Sequence, residues 1–157
     1  MRARDVMITE FDKISPDASL FDAAAIMRES RKGTGEGGIP ALVVLDGGRL
    51  VGIVSLTDML KAILPPYLLQ DTHLAHITWD GLLESQCKRV QDRKVRDIMT
   101  RDVVTVKEDA VLAEAAEHFL SRHIHSIPVL RGNSVVGILY LYDLAKRVFS
   151  YCQVGAS

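Results

Sequence analysis

The sequence of 157 residues is poor in cysteine, in aromatic residues and in net charge. Its two cysteines, Cys87 and Cys152, stand far apart and outside any Cys-x-x-Cys pair, which excludes a disulfide framework or a zinc ribbon and leaves two reduced thiols as the expectation. Aromatics make up 6% of the chain and the formal charge is −1, so the basic, aromatic-interleaved surface of a nucleic-acid binder is missing. No apolar run approaches the ~20 residues that span a bilayer. Met1-Arg2-Ala3-Arg4-Asp5 is not followed by the apolar core of a signal peptide. These absences make a cytoplasmic protein without membrane or nucleic-acid partners the expectation. The sequence also lacks a Gly-x-Ser-x-Gly elbow, and the cluster at 33–38 lacks the Gly-Lys-Ser/Thr ending of a phosphate-binding loop. Catalysis has no motif behind it, and no catalytic residue is assigned.

What is present is an ordinary globular composition, 48% hydrophobic and 25% charged, long enough to form a core without metal or disulfide staples. The chain is also a repeat. Arg4-Asp5-Val6-Met7 returns as Arg96-Asp97-Ile98-Met99, and Asp17-Ala18 as Asp109-Ala110, at an offset of 92. From Ala41 the offset falls to 85: Val44-Leu45 returns as Val129-Leu130, Val51-Gly52-Ile53 as Val136-Gly137-Ile138, and Asp58 as Asp143. The seven extra residues of the first copy fall within 31–38, a glycine-rich stretch expected to form a surface loop.

Both copies carry the same order of elements. Leu20, Ala23, Ala24 and Met27 recur at helical spacing, as do Leu112, Ala115, Ala116 and Phe119. Ser19 with Asp22 has the spacing of a capping pair. Two short strands follow, 41–45 and 50–55 in the first copy and 127–130 and 135–141 in the second, with turns at Asp46-Gly47-Gly48 and Gly132-Asn133. A second helix is expected near Asp58 and near Asp143. Short extended segments, 13–15 and 103–106, could join each sheet. The resulting fold class is α/β (α+β): two β-α-β-β-α units packed sheet to sheet about a pseudo-two-fold, since neither has enough core alone. The expected boundaries are 1–63 and 94–150 for the units, 64–93 for a helical inter-repeat segment and 151–157 for a tail. Pro65-Pro66 breaks the preceding helix, and Trp79, Leu82, Leu83, Cys87 and Val90 suggest a helical face in that segment.

With Gly-Ile-Val-Ser-Leu-Thr-Asp at 52–58 and His-Ser-Ile-Pro-Val at 125–129, the duplicated pattern resembles the cystathionine-β-synthase-type (CBS) domain family, in which two domains in tandem form a Bateman module. The resemblance covers about 3–63 and 94–149. It implies homodimers, a regulatory rather than catalytic role exercised on an effector protein, and an adenosyl ligand between the two domains: AMP, ADP, ATP or S-adenosylmethionine, bound as a regulator and not as a required cofactor. With no other unit attached, the expectation is a stand-alone pair acting in trans, or a piece cut from something larger.

The chemistry of the residues suits such a ligand where the strand ending at Ser55 enters the next helix. The Asp58 carboxylate can accept from two vicinal ribose hydroxyls, Ser55 and Thr57 can donate to phosphate, and a helix start attracts anions. Asp58 can equally serve as a helix cap. The resemblance assigns the ribose to Asp58 and the phosphate to Ser55, brings His125 from the other repeat to the phosphate side, and sets Arg101 to Thr105, with Val103, along the adenine. A weaker second cleft would comprise Asp143, Tyr140, Phe11 and Lys13. There Tyr140 and Tyr142 replace Ser55 and Thr57, and Pro40 stands where His125 does. That cleft is expected to be empty, or to take a different ligand with its base stacked on tyrosine; the balance favours an occupied first cleft. His123 and His125 alternate, so one is expected to face the cleft and the other not. His73 and His76, with Glu84 and Cys87 beyond, have no third ligand at diagnostic spacing, so no metal site is assigned. The rival readings are a ligand-free dimerisation module and, more weakly, a nucleotide-processing enzyme or a nucleic-acid binder.

Overall fold

The computed structural model describes residues 1–29, 41–64, 70 and 79–155. It contains two three-stranded sheets built alike. In the first, β1 (Lys13–Ile14) lies parallel to β2 (Ala41–Asp46), which pairs antiparallel with β3 (Arg49–Ser55). In the second, β4 (Val106–Lys107), β5 (Ser126–Arg131) and β6 (Ser134–Tyr140) repeat the arrangement. The parallel β1–β2 and β4–β5 pairs need crossover connections, supplied by helices α1 (Leu20–Glu29) and α5 (Leu112–Arg122). Even the irregularities match, with a register shift at Val44/Leu45 and again at Val129/Leu130. The first hairpin turns on Gly47 and Gly48, both at positive φ, as a two-residue turn following the strands' twist demands.

Helix α2 (Leu56–Ile63) leaves β3, and α6 (Leu141–Gly155) leaves β6. Both start two residues before the aspartate expected to open them, and α6 runs through most of the expected tail. In α1, Leu20, Ala23 and Met27 are buried, and Ser19 and Asp22 form the reciprocal cap that their spacing predicts. The inter-repeat helix α3 (Trp79–Val90) docks on α2 through Val90 and Gln86, with Arg89 donating to the Ala62 carbonyl at 2.8 Å. A one-turn helix, α4 (Val95–Ile98), opens the second repeat. The glycine-rich stretch at 31–38, Pro65-Pro66, His73 and His76 lie outside the described residues. Among the described residues no helix is long and apolar enough to cross a membrane.

The two halves exchange their leading segments. Val95 and Met99, from the start of the second repeat, lie in the core formed by Leu42, Val44, Val54 and α1. Ala3, from the start of the first, lies in the core of Ile127, Val129, Leu139 and Phe119. Backbone hydrogen bonds fix the exchange: Ala3 N–H donates to Ala110 and Ile8 N–H to Ile138 on one side, Val95 N–H to Ala18 and Thr100 N–H to Ile53 on the other. Close approach demands glycine at two mirror positions. A Cβ at Gly52 would meet Met99 Sδ at 2.6 Å, and one at Gly137 would meet Met7 Sδ at 2.7 Å. A third core, of Phe11, Ala41, Val43, Ile138 and Tyr140, joins the two sheets.

Candidate functional site

The β3–α2 junction is built by a capping box. Ser55 is the N-cap: its Oγ accepts from the Asp58 amide at 3.1 Å, while Asp58 Oδ2 accepts from the Ser55 amide at 2.9 Å. The spacing is that of Ser19 and Asp22, so the capping role open to Asp58 in the sequence is realised. Thr100, brought over by the exchanged segment, donates through Oγ1 toward both Asp58 oxygens at 3.2 Å. Capping leaves the Ser55 hydroxyl proton free to donate, and leaves Asp58 Oδ1 lone pairs for a hydroxyl that displaces Thr100.

These groups line a cleft of about 230 Å³ between the two halves. Its walls are Ser55, Thr57, Asp58 and Ile53 from the β3–α2 side, Ala41 from β2, Thr100, and His123, Ile124, His125 and Ser126 from the second repeat. The residues assigned to the first cleft are therefore only partly gathered. Ser55, Thr57, Asp58 and His125 come together, whereas Arg101 and Val103 do not line this cleft. Arg101 instead donates to the Arg96 carbonyl at 3.0 Å, and Thr105 lines a separate groove beside the hairpin turns, with Gly47, Arg49 and Ser134.

Both histidines line the cleft, against the expectation that one faces away. Strand alternation does not govern them, because β5 starts only at Ser126 and His123 caps α5 in the left-handed conformation, φ 54°. Thr100 was missed because its position depends on the exchange between halves. Among the described residues the lining holds one carboxylate, two imidazoles and no lysine or arginine. Lys61 and Arg93 line a separate cavity, which shares Asp58 as its wall. Among the described residues no group of three or more His, Cys, Asp or Glu is placed to hold a metal ion.

The second junction is different. Tyr140 is 2% exposed, and its hydroxyl takes a backbone hydrogen bond from Ala41. Burial, with the nearby Asp12 and Asp143 carboxylates, pushes its pKa up to about 12. Asp143 Oδ1 stands 3.8 Å from Lys146 Nζ, and Oδ2 is buried without a hydrogen-bond partner. Lys146 sits over the Tyr142 ring, and Lys13 over that of Phe11, each 5.0 Å from the centroid.

The sequence model of the CBS domain matches residues 3–65 and 95–150. The chain is 28% identical over 150 residues to inosine-5′-monophosphate dehydrogenase of Methanocaldococcus jannaschii, covering 93% of this chain and 23% of that protein. It spans between 23% and 44% of the length of the first curated relatives it matches. Among solved structures, a CBS-pair protein from Arabidopsis thaliana superposes with a TM-score of 0.72 at 21% identity, over 97% of this chain and 96% of the other. A CBS domain pair in complex with 5′-methylthioadenosine and S-adenosyl-L-methionine superposes at 0.70 and 21% identity, over 96% and 98%. With both halves matched and the paired fold shared, this chain belongs to the CBS domain family as a tandem pair.

Proposed function

We propose that this CBS pair is a non-catalytic regulatory module that senses an adenosyl ligand, such as AMP, ADP, ATP or S-adenosylmethionine, in the cleft between its halves. The observation that carries the reading is the convergence of Asp58, Ser55 and Thr57 at one helix start with His123, His125 and Thr100 from the other half. Asp58 would accept the ribose hydroxyls through Oδ1 while Oδ2 keeps the cap. Phosphate would meet Ser55, Thr57, the start of α2 and His125, and a longer phosphate chain could extend toward Lys61 and Arg93 behind Asp58. A ligand touching both halves binds best at one relative placement of them. It therefore shifts any equilibrium between placements, and an effector protein could read that shift.

A homodimer is part of the proposal. Leu60 on α2 is 58% exposed, and Phe149 and Tyr151 on α6 are each 63% exposed, so both second helices carry apolar surface that a second copy would cover.

The test is thermal denaturation with AMP, ADP, ATP, S-adenosylmethionine and 5′-methylthioadenosine in turn. A ligand at a hundred times its Kd stabilises by about 2.7 kcal/mol, a shift of several degrees. Asp58→Ala should abolish the shift, whereas Asp22→Ala, which removes an equivalent cap away from the cleft, should keep it. One observation favours a second reading, a ligand-free dimerisation module: both Asp58 oxygens already have partners within the chain. No shift with any of the five compounds, in a protein that still elutes as a dimer, would establish that reading instead.

A further inference from the structure

The pseudo-dyad permits a like-for-like comparison inside one molecule. In the first cleft Ile53 and Ser55 are only half-buried. Their mirror residues, Ile138 and Tyr140, are 0% and 2% exposed. Backbone register does not explain the contrast, since Ser55 pairs with Ala41 just as Tyr140 pairs with Ser126. The difference is the side chain: a phenol ring stands where the first half has a hydroxymethyl group.

We infer that Tyr140 is a resident plug for the second cleft, so that each chain takes one adenosyl ligand, beside Asp58, and not two. The inference rests on the adenosyl-binding reading. The ring packs with Phe11, Ala41 and Val43 in the core between the sheets, and the hydroxyl is anchored by the Ala41 backbone. The raised pKa of the phenol has the same cause, withdrawal from solvent. Asp143 shows what the plug displaced. It sits where Asp58 sits, yet one of its oxygens is buried with no hydrogen-bond partner, an arrangement that proteins normally avoid. On this reading, a buried carboxylate at the mirror position of Asp58, beside a ring where the first half has only a hydroxymethyl group, is an acceptor whose ligand has been shut out.

The proposal is tested by counting bound equivalents of S-adenosylmethionine and of AMP by equilibrium dialysis. The wild-type chain should bind one equivalent of the preferred compound, and Tyr140→Phe, which keeps the ring, should still bind one. Tyr140→Ser, which copies Ser55, should bind two, the second lost on adding Asp143→Ala. The double variant Asp58→Ala, Tyr140→Ser should bind one, through the unplugged cleft alone. Two equivalents in the wild type would overturn the plug, as would a folded Tyr140→Ser protein that binds no more than the wild type. No binding by the wild type with one equivalent in Tyr140→Ser would uphold the plug and sink the first-cleft reading. No binding by any variant would sink both. The wild-type count stands even if Tyr140→Ser does not fold, and ligand density confined to the Asp58 cleft of a co-crystal checks it separately.

Discussion

The two halves of this molecule share a backbone and differ in their clefts. Strand order, register, the shift before the hairpin and the demand for glycine beneath a methionine recur in both. At the strand-to-helix junction the likeness stops: Ser55 and Asp58 cap each other beside open space, while Tyr140 is buried and Asp143 is left with an unsatisfied oxygen. The duplicated fold thus repeats what packing requires, while the two junctions differ in side chain, capping and burial.

Mirror-pair substitutions break or sharpen that comparison. Leu42 and Ile127 are fully buried counterparts, so Leu42→Ala and Ile127→Ala should each lose about 2–5 kcal/mol of unfolding free energy in urea. A large loss on one side only would show that the halves do not share the load. Gly52→Ala and Gly137→Ala should each lose about 1–3 kcal/mol, because the new methyl group must displace Met99 or Met7 against nearby backbone carbonyls. Equal losses would confirm that the exchanged segments press equally on both sheets.

At the junctions the pairs should diverge. Asp58→Ala removes a reciprocal cap and should lose about 1 kcal/mol, whereas Asp143→Ala removes a half-satisfied carboxylate and should lose less. At neutral pH Tyr140→Phe should also lose about 1 kcal/mol, for one buried hydrogen bond. That variant should differ more in alkali. The folded protein holds the phenol protonated up to about 12 against an ordinary 10, so its contribution is complete below pH 10 and fades as the pH rises through 12. Wild-type stability should fall across that window, and Tyr140→Phe should fall less; parallel curves would show that the phenol is not held in the seam.

Much of the fold was legible because its signals are local. Leu20, Ala23 and Met27 announce a helix face by spacing alone, and Ser19-x-x-Asp22 and Ser55-x-x-Asp58 share one capping signature that the structure realises twice. Of the expected cleft, Ser55, Thr57 and Asp58 were legible because they are neighbours in the chain, and His125 came through the family resemblance. Thr100 was not, since it arrives from 42 residues away on an exchanged segment. The alternation expected of His123 and His125 fails because one left-handed residue at a helix end breaks it.

By itself the sequence determined the repeat, the periodicity of each element and the chemical groups at each junction, all of which depend on neighbours a few residues apart. Only the tertiary structure decided that each half lends its leading segment to the other's core, that both histidines line the seam with Asp58, and that Tyr140 is buried where Ser55 stays half-open. Those outcomes follow from how two sheets share limited volume between them, a constraint set jointly by residues far apart in the chain.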